Sequence, residues 1–185
     1  LNQTPVPRPH GSKTRLLFTA TYDGSGMSAI HLWLDHLPKL IEKYEVYVSL
    51  HPWMHPRIKQ RIAAMNNVHY VQDNPLPAIQ LVDVCIVDTS SVIAEICALD
   101  KAMISFKLPP SQRSVSQIDS ILERCSIRIQ DFEELVPAIE RALARPEDFR
   151  IARQEANAVF FDALDAKAGA RSAAHILNLL PELGL

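Results

Sequence analysis

The chain has 185 residues, of which 48% are hydrophobic and 22% charged, and its formal net charge is -2. This composition excludes an intrinsically disordered chain, and the near-neutral charge argues against a nucleic-acid-binding face. Because no apolar run approaches the ~20 residues that cross a bilayer and the three cysteines have no CxxC spacing, we expect a protein of a reducing, cytoplasmic compartment.

In chain order, a proline-rich start precedes a series of short apolar runs. Residues 1–13 predict an extended linker rather than a signal peptide. Because the first residue is leucine, we expect the chain to be part of a larger protein. Beyond the linker, apolar runs bounded by polar residues predict buried strands. These strands are predicted at residues 15–21, 45–50, 68–71, 82–87, 103–106 and 126–129.

Apolar residues at helical spacing predict helices between these strands. The predicted helices cover residues 28–43, 56–65, a short stretch ending near 81, 89–99 and 115–123. Pro38 should kink or split the first helix, because proline has no N–H to donate and its ring clashes with the preceding turn. From residue 131 onward the pattern is helical throughout, with helices predicted at 131–144, 146–163 and 170–180.

Alternating helices and continuously apolar strands indicate an α/β fold, a Rossmann-like doubly wound parallel sheet of about five or six strands with a helical carboxyl-terminal tail. We divide the chain into the linker, a nucleotide-binding domain at 14–130 and a tail at 131–185 that packs on the same domain. Ligands of such sheets bind beyond the carboxyl ends of the strands, near the switch in strand order. The loops expected there are 21–26, 50–55, 72–76, 88–91 and 107–113.

The strongest local motif follows the fourth predicted strand. That strand ends in Asp88, and the hydroxyls of Thr89, Ser90 and Ser91 should then cap a helix whose N-terminus favours anions. Glu95 follows Ser91 by four residues and shares its helix face. A diphosphate at the helix start with a ribose hydroxyl on Glu95 is one interpretation. An ordinary capped helix, with Asp88 as a turn acid, is the other.

His51 and Pro52 end the second predicted strand. A histidine there could contact phosphate, or protonate or hydrogen-bond a leaving group, and it is our candidate catalytic residue. The alternative is a loop histidine without a task. Pairing of His51 with His55 on a metal is disfavoured, because Pro52 and Pro56 interrupt the helix that would align them. We therefore predict neither a metal nor a cofactor.

Taken together, four segments resemble the CDP-glycerol glycerophosphotransferase family, which includes teichoic-acid and capsule polymerases. The resemblance spans roughly residues 14–108. Its segments are Thr19-Ala20-Thr21-Tyr22, Leu50-His51-Pro52, the run from Asp83 to Glu95 and Leu99-Asp100-Lys101. The family has a two-domain glycosyltransferase architecture (GT-B), and the resemblance identifies this chain with its carboxyl-terminal, donor-binding half.

The resemblance also implies roles for individual residues. His51 would contact the donor pyrophosphate, and Glu95 would face the ribose. The phosphate would lie against Thr89, Ser90 and Ser91, and the loop of Asp73 and Asn74 would lie near the base. Thr21, Tyr22 and Asp88 belong to the same donor-binding set. This chain departs from the family's Pro-Thr-Trp-Arg segment at Ala20-Thr21-Tyr22-Asp23, has Thr89 where a tyrosine is usual and has Ala102 where a proline is usual.

The implied reaction is attack by an acceptor hydroxyl on the β-phosphorus of CDP-glycerol, with release of CMP; a nucleotide sugar would be attacked at its anomeric carbon. The expected partners are the nucleotide-diphosphate donor and the enzyme's amino-terminal half, which would bring peripheral association with the inner face of the plasma membrane. Without that half, the transferase domain should be poorly active. Two alternatives stay open: half of a UDP-sugar epimerase, and a non-catalytic nucleotide-binding module.

Overall fold

The computed structural model describes residues 11–112 and 114–179. Most of the predicted linker and the end of the last predicted helix lie outside the described residues. The strands are β1 (Arg15–Ala20), β2 (Glu45–Leu50), β3 (Val68–Val71), β4 (Val84–Val87), β5 (Ala102–Phe106) and β6 (Ile127–Ile129). They form one parallel sheet in the order β3-β2-β1-β4-β5-β6. The predicted Rossmann-like α/β fold is thereby confirmed.

Helices cover both faces of this sheet. The described residues form α1 (Ile30–Trp33), α2 (Leu37–Lys43), α3 (Pro56–Ala63), α4 (Leu76–Leu81), α5 (Ile93–Ala98), α6 (Ser116–Cys125), α7 (Leu135–Ala144), α8 (Arg150–Phe160) and α9 (Ala168–Leu179). Successive strand residues alternate between two cores. Leu16 and Phe18 pack with α1, α2, α3 and α7, whereas Leu17 packs with α4, α5, α6 and α8. The strands read as unbroken apolar runs because both faces are buried.

One predicted helix is split in two in the structure, as expected, and another begins later than predicted. The 28–43 helix is split as expected: a 3-10 turn at Leu34–His36 separates α1 from α2, and Pro38 lies in the first turn of α2. The 89–99 helix was placed wrongly at its start. Helix α5 begins at Ile93, and its N-cap position is Val92, whose side chain makes no capping bond. The hydroxyls of 89–91 therefore precede the helix in a turn and do not cap it.

The carboxyl-terminal region is helical, as predicted, and its helices differ in burial. Helix α7 packs on β4, β5 and β6, and α8 packs on α5 and α6. Helix α9 buries none of its described residues, so its apolar side chains Ile176 and Leu177 are 57% and 63% exposed. No helix among the described residues is both long and apolar enough to span a bilayer.

Candidate functional site

The strand order changes direction between β1 and β4, because β2 and β3 lie beyond β1 and the later strands beyond β4. At such a switch point the loops that follow the two central strands diverge, and a crevice opens at their carboxyl ends. Thr21 and Tyr22 follow β1 and the motif of residues 88–91 follows β4, while His51 follows the neighbouring β2. The topology therefore places the predicted site residues around one crevice.

Asp88 holds the two sides of this crevice together. It is fully buried, and its Oδ2 accepts hydrogen bonds from the backbone N–H of Thr21 at 2.8 Å and of Ala29 at 3.3 Å. Its Oδ1 accepts one from the N–H of Ser90 at 3.0 Å. Burial raises the pKa of Asp88 to about 7, although the backbone donors act in the opposite direction. Because its oxygens face backbone donors, Asp88 fixes the loops after β1 and β4 relative to each other.

A cleft of about 270 Å³ opens beside this carboxylate. Its walls come from the carboxyl ends of β1 and β2, the loop after β3 and the turn before α5. The lining residues are Thr19, Ala20, Ser49, Leu50, His51, Pro52, Gln72, Asp73, Pro75, Ser90, Ser91 and Val92. Of the five loops that the sequence pointed to, 50–55, 72–76 and 88–91 contribute to this lining, whereas 21–26 and the described residues of 107–113 do not.

His51 lines this cleft and is half-buried, and hydrogen bonds hold the backbone of its loop in place. Its Nδ1 accepts a hydrogen bond from the N–H of Trp53 at 3.0 Å, and its carbonyl accepts one from the N–H of Met54 at 2.9 Å. Because Nδ1 is an acceptor, the proton of the neutral imidazole is on Nε2. His51 is thus arranged to donate a hydrogen bond from Nε2 to a ligand.

Three aromatic rings meet at this position. The ring centroid of Tyr22 lies 5.3 Å from that of His51 and 5.7 Å from that of Trp53, and His51 and Trp53 are 5.6 Å apart. The indole of Trp53 is 74% exposed. Sequence reasoning missed Trp53, although its position two residues after His51 was the available signal.

The three hydroxyls after Asp88 separate into two roles. Thr89 donates from Oγ1 to the carbonyl of Met27 at 3.3 Å, which ties the turn to the loop after β1. Ser90 and Ser91 line the cleft, and Ser90 Oγ accepts the N–H of Val92 at 3.3 Å. Ser91 is exposed. Two of the three predicted phosphate contacts therefore face the cleft, and the third stabilises the turn.

The remaining predicted residues lie around the cleft, and only Asp73 lines it. Asn74 Oδ1 accepts the N–H of Leu76 at 3.0 Å and so helps to start α4. Thr21 is buried, and its carbonyl accepts the hydroxyl of Ser28 at 2.8 Å. Glu95 is half-buried outside the lining, and its Oε2 is buried without a hydrogen-bond partner among the described residues.

Sequence reasoning missed two polar residues of the cleft, Thr19 and Ser49, whereas a third, Gln72, lies in the predicted loop 72–76. Thr19 and Ser49 belong to strands that read as core, and no sequence motif distinguishes them from structural hydroxyls. In the part of the chain that the structure describes, no group of three or more histidine, cysteine or acidic side chains is placed to hold a metal ion. The cleft chemistry is therefore that of hydroxyls, an amide, a carboxylate and an imidazole.

No family model matches the sequence, and no curated protein matches it. Solved structures share its fold. A variant of the wall teichoic acid polymerase TagF has a TM-score of 0.61 and 16% identity over 95% of this chain and 45% of its own. CalG4, the calicheamicin glycosyltransferase, has a TM-score of 0.59 and 14% identity over 96% and 44%.

A third structure of the same fold is the UDP-GlcNAc 2-epimerase of Methanocaldococcus jannaschii in complex with UDP-GlcNAc and UDP. Its TM-score is 0.53 and its identity 13%, over 80% of this chain and 46% of that one. At these identities the similarities show the fold alone. The chain spans less than half the length of each of these three structures.

Proposed function

We propose that the chain is the donor-nucleotide-binding half of a GT-B-type glycerophospho- or glycosyltransferase of cell-surface polymer synthesis. The observation that carries the proposal is the cleft at the switch point, where His51, Ser90 and Ser91 lie together. Similarity to a teichoic acid polymerase and to a glycosyltransferase, over less than half of each, supports the same architecture. The resemblance in sequence favours CDP-glycerol as the donor.

The size of the cleft suits part of such a donor. At about 270 Å³ it is slightly smaller than the roughly 300–1,000 Å³ of pockets that enclose a drug-sized ligand. One end of the donor would lie inside, and the diphosphate would lie near the hydroxyls of Ser90 and Ser91 and the Nε2–H of His51. The ribose contact that the resemblance implies for Glu95 has no support in this geometry, because Glu95 does not line the cleft and its Oε2 is buried.

In the glycerophosphotransferase reaction, an acceptor hydroxyl oxygen forms a bond to the β-phosphorus of the donor. The bond between that phosphorus and the bridging oxygen breaks, and CMP leaves with the electron pair. A hydrogen bond from His51 Nε2–H would stabilise the negative charge that develops on the leaving phosphate. The acceptor's proton would pass to a base on the other half of the enzyme.

The described lining residues of the cleft include no lysine or arginine. The charge of a diphosphate would therefore need cations from outside the cleft, and the other half of a two-domain enzyme is our candidate source. The exposed apolar residues of α9, Ile176, Leu177 and Leu179, are suited to contact that half. We accordingly expect little or no transfer by this chain alone, measured as CMP release from CDP-glycerol.

Calorimetric titration with CDP, UDP and CDP-glycerol tests the proposal. We expect cytidine nucleotides to bind in preference to UDP. We expect His51→Ala and Ser91→Ala each to weaken CDP binding about tenfold, or 1.4 kcal/mol. His31→Ala and Ser120→Ala are matched controls, because both side chains are exposed and neither lines the cleft. These controls should bind CDP as the wild type does.

Two results would contradict the proposal in different ways. Preference for UDP would point to a sugar-nucleotide enzyme, and the shared fold with a UDP-GlcNAc 2-epimerase makes that the next candidate. Absence of binding to all three nucleotides would count against a donor site on this chain and favour a module that has kept the fold without the chemistry.

A further inference from the structure

Two hydroxyl residues of the cleft lining, Thr19 and Ser49, belong to strands of the sheet, and we call them the floor of the cleft. Thr19 on β1 and Ser49 on β2 are paired in register, so their side chains point to the same face of the sheet. Two residues earlier on the same strands and on the same face, Leu17 and Tyr47 pack into the core that α4 and α5 cover. On this face, apolar side chains therefore fill the core up to Leu17 and Tyr47, and the hydroxyls of Thr19 and Ser49 follow where the cleft begins.

The Thr19 hydroxyl has no hydrogen-bond partner among the described residues. The residue is only 2% exposed, and Oγ1 is buried without a hydrogen bond to any described residue. Ser49 is 8% exposed and lines the same cleft. Buried hydroxyls in folded proteins are almost always hydrogen-bonded. Because Thr19 also lines the cleft, a group that enters the cleft is our candidate for this partner.

The surroundings of this pair favour a neutral group over a charged one. The other polar lining residues next to the floor, Gln72 and Asp73, supply an amide and a carboxylate, and the described lining has no lysine or arginine. An anion at the floor would lose its hydration without gaining a cation. A hydroxyl both donates and accepts, so it pairs well with a ligand hydroxyl or amide.

We propose that Thr19 and Ser49 bind a hydroxyl or amide group of the nucleoside part of the donor and thereby select which nucleoside enters the cleft. The inference rests on the proposed nucleotide site and adds to it a contact on the sheet itself. The group would come either from the ribose or from the base. In both cases the diphosphate would lie away from the floor, toward His51, Ser90 and Ser91.

The test is titration of Thr19→Val and Ser49→Ala with cytidine, 2′-deoxycytidine, uridine and inorganic pyrophosphate. Valine keeps the shape of threonine and removes the hydroxyl. We expect Thr19→Val to weaken cytidine binding about tenfold, or 1.4 kcal/mol, and to leave pyrophosphate binding unchanged. Loss of the preference for cytidine over 2′-deoxycytidine would assign the ribose as the source, and loss of the preference over uridine would assign the base.

The melting temperature gives a readout that needs no ligand. Replacing an unpartnered buried hydroxyl with a methyl group should leave the melting temperature of Thr19→Val unchanged or raise it. Ser105→Ala is the contrast, because the buried Ser105 hydroxyl on β5 pairs with Ser126 at 2.5 Å, away from the cleft. It should lower the melting temperature and leave cytidine binding unchanged.

If the wild type binds CDP and Thr19→Val binds cytidine as tightly as the wild type does, this inference fails while the proposed function stands. The inference also fails if Thr19→Val lowers the melting temperature as Ser105→Ala does, since the hydroxyl would then have a partner in the protein. If the wild type binds no nucleotide or nucleoside, the proposed function fails first and this contact fails with it.

Discussion

Asp100→Asn should lower the free energy of unfolding by about 2–3 kcal/mol, because it removes the charge that faces a fully buried arginine. Arg153 is 1% exposed, and its Nε donates to Asp100 Oδ1 at 2.8 Å. Its other nitrogens donate to the carbonyls of Asp148 at 3.0 Å and Pro146 at 3.1 Å. The loss should be smaller than the roughly 3–5 kcal/mol of a wholly buried pair, because the Asp100 side chain is 33% exposed.

Arg150→Gln is the matched control for this prediction. Arg150 also bonds to Asp100, with its Nε 2.7 Å from Oδ2, but its side chain is 53% exposed. Exposed ion pairs stabilise little, so Arg150→Gln should change the unfolding free energy by less than about 1 kcal/mol. Urea denaturation measures both. If Asp100→Asn lowered the unfolding free energy as little as Arg150→Gln does, the carbonyl contacts alone would be sufficient to hold Arg153.

The sheet was predictable because its strands are buried on both faces. The continuous apolar runs of β1 and β4 are typical of strands in a parallel sheet. Pro38 predicts the break in the first helix, because the proline ring constrains the backbone and proline has no N–H to donate. The topology then follows from alternation of strands and helices. These features depend on local sequence alone, and the structure agrees with them to within a few residues.

The starts of two helices were not predictable from the apolar pattern, because a turn of the backbone precedes each of them. Hydroxyls before an apolar run are typical of a helix cap. In this chain Asp88 accepts the N–H of Ser90, which holds a turn and delays α5 to Ile93. Likewise α8 begins at Arg150 rather than at Pro146, after Phe149 adopts a left-handed backbone with φ of 67°.

The lining of the cleft was predictable in its loops and not in its floor. His51, Asp73, Ser90 and Ser91 stand at strand ends, where parallel topology concentrates polar groups, and they do line one cleft. Thr19 lies one residue inside a strand, where a hydroxyl reads as a tolerated core residue. Whether such a hydroxyl has a partner depends on the packing of distant elements, and only the three-dimensional structure reports it.

Asp88→Asn should lower the free energy of unfolding by about 2–4 kcal/mol and abolish detectable CDP binding. Both oxygens of the Asp88 carboxyl group accept backbone N–H groups, those of Thr21, Ala29 and Ser90, whereas an amide has one acceptor oxygen and an NH2 group that only donates. At least one buried donor therefore loses its partner, at roughly 1–3 kcal/mol each. The turn after β4, which carries Ser90 and Ser91 of the cleft lining, would then shift relative to the loop after β1. Asp73→Asn, at an exposed carboxylate of the same cleft, should leave stability unchanged.

The same substitution tests the protonation of Asp88 through the pH dependence of stability. The unfolded carboxyl has a pKa of about 3.9, and burial raises the native pKa to about 7. Between these values the native state keeps a proton that the unfolded state has lost, so this contribution to stability is full below about pH 4 and is lost as the pH rises through 7. The stability difference between wild type and Asp88→Asn, measured by urea denaturation, should shrink from pH 5 to pH 8. A difference that grows with pH would mean that the backbone donors outweigh burial.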